Sequence, residues 1–314
     1  MNFRNTIKNS PLVLTEGGMV ERLRRDTSVR LDQFIVHAGL IYNDEGRRVL
    51  ERIYRQYIDI GLKYKLPMMA LAPTWRANPE RIQQSDFYNY KNINKDCVEF
   101  LNGIRETYVD YAEQIFIGGM IACRGDAYMP GDALSKEDAA RFHRPQVRLL
   151  AEAGADFIKA ATLPALSEAA GMALAMAECD IPYILSFVIR PDGTILDGTP
   201  VHEAIEKIDS ETDPAPFFYM INCVHPSVFE KGIGHEAGIS RSAIKRISGF
   251  QANTSSKSPE ELDGLSYLDT TDPGEFADSM TGLHKRFGIK ILGGCCGSDN
   301  RHIEAIAERI CPIS

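Results

Sequence analysis

The chain has 314 residues, of which 44% are hydrophobic and 25% charged, and its formal net charge at pH 7 is -8. This composition is typical of a globular protein with a sizeable core and argues against a disordered chain. A nucleic-acid-binding protein would need a basic excess, so that class is set aside. The longest apolar runs, such as IPYILSFVI, are too short to cross a bilayer, and the polar first ten residues lack the apolar middle of a signal peptide. We therefore expect neither a nucleic-acid nor a membrane partner.

Short apolar runs alternate with amphipathic stretches along the chain. Eight of these runs are predicted as strands because they are short, apolar and mostly bounded by Gly or Pro; they begin at Leu12, Leu66, Gln114, Ala155, Pro182, Pro216, Arg246 and Gly288. Helical periodicity predicts helices over residues 45–64, 95–113, 135–153, 166–178 and 299–310. The alternation predicts a (β/α)8 TIM barrel in which residues 1–314 form one domain. A doubly wound sheet is the alternative, but TEGGMVERL after the first strand lacks the glycine spacing of a dinucleotide-binding loop.

Cysteines stand where two of the predicted strands end. In a (β/α)8 barrel the active site lies at the carboxyl ends of the strands. Strand six ends at Cys223 and strand eight at Cys295 and Cys296, and one strand separates the two around the ring. The three thiols can therefore converge on one point. Three thiolates with an open position are typical of a catalytic zinc site, and soft thiolates favour zinc.

The alternative for these three residues is a set of redox-sensitive or merely packed cysteines. A disulfide between the adjacent Cys295 and Cys296 would be strained. The total of seven cysteines is odd and widely spread, which fits a reducing cytoplasm better than a disulfide framework. The other four are predicted to be buried or incidental thiols: Cys97, Cys123, Cys179 and Cys311.

The segments INCVHPS and ILGGCCGSDNRHIEAIA resemble the homocysteine S-methyltransferase family, whose members are zinc-dependent (β/α)8 barrels. The similarity extends from LTEGGMVERL through SFVIRPDGTILDGTPVHEAI to the last helix. It implies that Cys223, Cys295 and Cys296 bind zinc. It also implies that homocysteine accepts a methyl group and becomes methionine, because a thiol bound to zinc is deprotonated near neutral pH and is then a strong nucleophile.

The same resemblance implies a set of substrate-binding residues. Gly17 and Gly18 shape the loop after strand one, and Glu16 takes the place of the acidic residue of that loop. Thr162 matches the threonine of a Glu-Thr-x-Pro motif after strand four, and Asn253 is expected near the substrate on strand seven.

Ala161 departs from the family pattern, because it stands where that motif has a glutamate that binds the ammonium group of the substrate. Losing a charge-assisted hydrogen bond of this kind costs ~1.5–3 kcal/mol, or roughly ten- to a hundred-fold in binding. Either another acid such as Glu16 binds the ammonium group, or the accepted thiol has none. Trp75 is a second departure, after strand two, and could line an altered pocket or stack on a cation.

The methyl donor and the partners are less constrained by the sequence. Candidate donors are S-methylmethionine, S-adenosylmethionine, a betaine-like ammonium compound or a methylated carrier protein. The alternatives to homocysteine methylation are the same zinc barrel acting on another thiol or a methylated amine, and a zinc module that binds a thiol without turnover. His225 is expected to cap a helix, and residues 254–268 are an exposed excursion that could serve as a lid. No heptad or arm indicates an oligomeric state.

Overall fold

The computed structural model describes residues 2–257 and 269–312. In these ranges eight parallel strands close into a barrel in the order β1 to β8, and β8 pairs with β1. The strands are β1 (Val13–Thr15), β2 (Met68–Leu71), β3 (Ile115–Ala122), β4 (Phe157–Leu163), β5 (Tyr183–Phe187), β6 (Phe218–Asn222), β7 (Ile247–Ala252) and β8 (Ile291–Gly294). The predicted (β/α)8 barrel is confirmed, and the doubly wound sheet is wrong.

Helices connect the strands and surround the barrel. They are α1 (Phe3–Asn9), α2 (Met19–Arg25), α3 (Asp44–Tyr64), α4 (Pro79–Gln84), α5 (Ile93–Glu106), α6 (Lys136–Glu152), α7 (Leu166–Ala177), α8 (Val201–Glu211), α9 (Pro226–Glu236), α10 (Arg241–Ile244), α11 (Pro273–Phe287) and α12 (Asn300–Ile310). Short 3-10 helices occupy residues 38–42, 109–114 and 130–132. None of the helices in the described ranges is long and apolar enough to cross a membrane.

The helix predictions hold in all but one place. The helix expected over residues 95–113 ends at Glu106 and is followed by a separate 3-10 helix. Val109 has a φ of 45°, which a continuous right-handed helix does not allow. The excursion predicted over residues 254–268 lies mostly outside the described residues, since 258–268 are not among them.

Helix α1 closes one end of the barrel and leaves the other end for the site. Phe3 and Ile7 pack into an apolar cluster inside the barrel with Phe116, Phe157 and Phe218. The Phe3 and Phe157 rings stack with their centroids 4.6 Å apart. Burying each such aromatic side chain stabilises the fold by about 1.5–3 kcal/mol. The end at which the strands begin is therefore filled with packed side chains, and the carboxyl ends of the strands remain as the mouth.

Candidate metal centre

The structure brings together the three cysteines predicted as metal ligands. Cys223 follows the last residue of β6, and Cys295 and Cys296 follow the last residue of β8. The three Sγ atoms all lie within 4.8 Å of one another. Those of Cys223 and Cys295 are in direct contact, 2.50 Å apart, with their Cα atoms separated by 5.6 Å. Cys223 is buried and the other two are half-buried, so the cluster lies at the barrel mouth.

The Asn253 side chain ties the two cysteine loops together. Its Nδ2 donates to the backbone oxygen of Cys223 at 3.0 Å, and its Oδ1 accepts from the backbone N–H of Cys296 at 3.2 Å. Both ends of the amide therefore bind the loops that carry the cysteines. The expected contact of Asn253 with substrate stays a prediction, whereas its bonds to these loops were not foreseen from the sequence.

Asn222 joins the ends of three strands immediately before the first cysteine. Its Oδ1 accepts from the backbone N–H of Thr162 at 3.0 Å and from Ser186 Oγ at 2.6 Å, and its Nδ2 donates to Thr162 Oγ1 at 2.8 Å. Thr162 has a φ of 61°, which is rare for a β-branched residue. Cys223 has a φ of 57° as well. Asn222 therefore holds the backbone at Thr162 and at Cys223 in an unusual conformation. The feature of the sequence that could have identified Asn222 is its place directly before Cys223.

The loop with Gly17 and Gly18 packs directly against the loop that carries Cys295. A Cβ atom on Gly18 would lie 2.5 Å from the backbone oxygen of Cys295, a distance that no side chain tolerates. The backbone N–H of Gly18 donates to Ser298 Oγ at 3.1 Å. Glycine is needed here because two loop backbones approach each other closely. The predicted loop after strand one thus lies beside the cysteine cluster.

Glu16 is a buried acid at the end of β1, with 5% of its surface exposed. Its Oε2 accepts from the backbone N–H of Leu71 at 2.9 Å. Burial raises the pKa of Glu16, and the hydrogen bond from Leu71 and the charge of Lys159 oppose this rise. Glu16 therefore lies in the mouth region, as its place in the sequence predicted, and it interacts with a buried basic group that was not foreseen from the sequence.

That basic group is Lys159, which is only 1% exposed. It belongs to β4, and its Nζ donates to Gln251 Oε1 on β7. The backbone oxygen of Gln251 in turn accepts from the backbone N–H of Cys223 at 3.1 Å. Burial lowers the pKa of Lys159, and the charge of Glu16 raises it. The signal that could have identified Lys159 is a lysine inside the otherwise apolar strand FIKAATL.

Ala161 is buried two residues beyond Lys159 on the same strand. Alternate residues of a strand share a face, so its methyl group lies on the inward face above the lysine. The strand segment FIKAATL contributes no carboxylate to the site. The guanidinium of the neighbouring Arg76 lies 4.6 Å from the centroid of the Trp75 ring, so one face of this ring stacks on a cation of the protein itself. The suggestion that Trp75 lines a substrate pocket stays a prediction.

Two predicted roles away from the ligands can also be compared with the structure. His225 is the N-cap of α9, where its Nδ1 accepts from the backbone N–H of Ser227 at 3.2 Å, so the expected capping role is confirmed. Cys97 and Cys123 are buried as expected, whereas Cys179 and Cys311 are half-buried.

The donor set fits a single thiophilic metal ion. Zinc binds thiolate sulfur at about 2.3 Å, so three sulfur atoms within 4.8 Å of one another can share one ion. Burial raises the pKa of Cys296 to about 11, so without a metal this thiol is protonated at neutral pH. Metal binding to the cluster must therefore release protons.

Comparisons with known proteins show relatives along most of this chain. A model of the family described as homocysteine S-methyltransferase matches residues 13–310. Homocysteine S-methyltransferase 3 of Arabidopsis thaliana is 30% identical over 289 residues, which cover 90% of this chain and 79% of that protein. Homocysteine S-methyltransferase YbgG of Bacillus subtilis is 26% identical over 194 residues, 60% of this chain, and the match spans only 58% of that relative.

The barrel also superposes on a solved structure of similar length. The metallated form of the homocysteine methyltransferase MmuM from Escherichia coli matches with a TM-score of 0.74 and 22% identity, over 98% of this chain and 99% of that one. This likeness shows a shared fold. Together with the family match over residues 13–310, it confirms what the cysteine motifs predicted: the chain belongs to the homocysteine S-methyltransferase family.

Proposed function

We propose that this protein transfers a methyl group to the thiol of homocysteine and that Cys223, Cys295 and Cys296 hold a zinc ion for this reaction. The observation that carries the proposal is the convergence of these three sulfur atoms at the barrel mouth. When bound there, zinc would supply the positive charge that keeps an acceptor thiol deprotonated at neutral pH. Three cysteine ligands would leave a fourth position for that thiol.

The remaining residues of the site position the ligands and the acceptor. Asn253 fixes the two cysteine loops relative to each other, and Asn222 fixes the turn that presents Cys223. Glu16 is the acid closest in sequence to the glycine loop, and we assign it the ammonium group of homocysteine. This assignment compensates for Ala161, which offers no acceptor.

The transfer itself is a displacement at the methyl carbon. The acceptor sulfur forms a new bond to that carbon, and the bond between the carbon and a sulfonium sulfur or ammonium nitrogen of the donor breaks. The electron pair of the broken bond stays with the donor, which leaves as a neutral thioether or amine. The acceptor proton is lost before this step, on binding. With a sulfonium or ammonium donor the step balances without any other reactant.

The names of the relatives support this choice of acceptor. The Arabidopsis, Bacillus and E. coli proteins are all described as homocysteine methyltransferases, and the E. coli protein has been solved in a metallated form. Of the three, the Arabidopsis protein has the highest identity to this chain, 30%, and its alignment covers 90% of this chain.

Calorimetry of zinc-loaded protein with L-homocysteine tests the proposal. Titration in two buffers of different ionisation enthalpy should give saturable binding with about one proton released at pH 7, because the thiol binds as thiolate. A matched titration with S-methylhomocysteine (methionine) lacks the ionisable thiol and should release no proton. Absence of homocysteine binding by protein with confirmed zinc content would contradict the proposed acceptor.

The methyl group of Ala161 at the inward face of β4 favours a second class of acceptor, namely thiols without an ammonium group. Ala161→Glu should strengthen homocysteine binding by roughly ten-fold or more, because it adds a charge-assisted hydrogen bond to the ammonium group. The measurement is the dissociation constant of homocysteine, with Ala161→Gln as the uncharged control of similar size. Weaker binding by the glutamate variant would instead favour a pocket built for thiols without an ammonium group.

A further inference from the structure

A lysine buried inside the barrel calls for a physical explanation. Lys159 is 1% exposed, although lysine is almost never fully buried unless it is paired. It has one described hydrogen bond, to Gln251 Oε1, while an ammonium group can donate three. Glu16 likewise has one described side-chain bond, to the backbone N–H of Leu71, although a carboxylate can accept several. Both groups therefore have unused hydrogen-bonding capacity.

The Gln251 side chain links Lys159 and Glu16 beneath the cysteine loops. Gln251, which binds the lysine, also holds Cys223 through its backbone oxygen and donates from Nε2 to the backbone oxygen of Glu16 at 3.3 Å. It pairs in register with Gly293, two residues before Cys295. The groups of Lys159 and Glu16 attract each other, but the described bonds of each go to other residues.

We propose that Lys159 and Glu16 together form the site for the charged head of the acceptor, in which Glu16 binds its ammonium group and Lys159 binds its carboxylate. This inference rests on the proposed function and identifies Lys159 as a specificity-determining residue. The pair has no net charge of its own, so a head that carries both charges satisfies both groups. An acceptor that carries only an ammonium group leaves Lys159 without a partner, and one that carries only a carboxylate leaves Glu16 without a partner. Burying an unpaired charge is unfavourable.

The distances allow a small thiol to reach from the cysteine loops to the level of Gln251. Two residues along a strand advance about 6.6 Å, which is the distance along β8 from Cys295 back to the level of Gly293 and Gln251. The sulfur and the carboxylate carbon of extended homocysteine are about 5 Å apart, since four single bonds of about 1.5 to 1.8 Å join them. On β4 the next residue on the same face as Lys159 is Ala161, whose side chain is only a methyl group and adds little bulk and no charge on the side toward the mouth.

The side chains around Glu16 supply no competing charge. Tyr54 and Tyr57 of α3 are the other titratable groups that interact with its carboxylate, and burial raises the pKa of both phenols, so they stay neutral. Tyr54 donates its hydroxyl to the backbone oxygen of Leu71. Lys159 is therefore the cation that faces Glu16 among the described residues.

Calorimetric binding of three thiols tests the inference, with zinc content and circular dichroism checked for each protein. The thiols are L-homocysteine, 4-mercaptobutyrate, which lacks the ammonium group, and 3-aminopropanethiol, which lacks the carboxylate. Wild-type protein should prefer homocysteine to each analogue by roughly 10- to 100-fold. Lys159→Met should abolish the preference for homocysteine over 3-aminopropanethiol and keep the preference for homocysteine over 4-mercaptobutyrate. Glu16→Gln should abolish the preference over 4-mercaptobutyrate and keep the preference over 3-aminopropanethiol.

Controls separate a binding role from a structural one. Met120 of β3 pairs in register with Lys159. Met120→Leu should keep the preference for homocysteine over both analogues. If Lys159→Met does not fold, the double variant with Glu16→Gln removes both charges and should bind the three thiols with similar affinity. If Lys159→Met weakens the binding of all three thiols equally, or leaves the preference for homocysteine unchanged, the inference about Lys159 is wrong while the proposed function stands. Failure of zinc-loaded wild-type protein to bind any of the thiols overturns the proposed acceptor as well.

Discussion

Replacing Cys296 with serine should abolish methyl transfer and lower the zinc content while the barrel stays folded. A hydroxyl is a much poorer zinc ligand than a thiolate, and even loss of a group that only supports a ligand costs about 10–100-fold in metal affinity. We therefore expect at least roughly a 100-fold loss of zinc affinity. Cys296 is half-buried at the mouth and not in the packed interior, so the unfolding free energy of the metal-free protein should change by about 1 kcal/mol or less.

Metal analysis after dialysis, urea denaturation and a methyl-transfer assay measure these three effects. Cys311→Ser is the matched control, because it replaces another half-buried cysteine that lies outside the cluster. The control should retain zinc and activity. Full zinc content in the Cys296→Ser protein would show that the ligand set is wrong.

Replacing Asn222 with alanine should both destabilise the fold and weaken zinc binding. The change removes three hydrogen bonds and leaves the Thr162 N–H and the Ser186 hydroxyl without their acceptor inside the protein. Each unsatisfied buried group costs about 1–3 kcal/mol, so a loss of roughly 2–4 kcal/mol in unfolding free energy is expected. Because Asn222 fixes the turn at Cys223, zinc affinity should also fall by about 10–100-fold.

Asn94→Ala provides the comparison for this second variant. Asn94 is also buried, donates from Nδ2 to the backbone oxygen of Ala77 and accepts from Gln146 Nε2, and its bonds do not involve the cysteine loops. It should lose stability without losing zinc affinity. Denaturation curves and competition with a chromogenic chelator give both quantities. A similar decrease in zinc affinity in both variants would mean that Asn222 acts through general stability and not through the turn at Cys223.

The sequence predicted the positions of the site residues better than it predicted their partners. Cys223, Cys295 and Cys296 were identified because strand ends share one face of a barrel, and the structure brings their sulfur atoms together. Asn253 was expected to contact substrate, but both ends of its amide bind the cysteine loops. The sequence indicated that Asn253 lies at the end of a strand. The partners of its side chain depend on how the loops after β6 and β8 meet in the folded protein.

The sequence by itself determined the alternation of strands and helices, the family motifs and the strand ends that carry the thiols. These features depend on the periodicity of neighbouring residues and on the order of elements along the chain. Only the tertiary structure decided that Lys159 meets Gln251, since the two are 92 residues apart and belong to non-adjacent strands. Contacts across a closed barrel follow from the stagger of its strands and from which side chains point inward, and no local pattern encodes either.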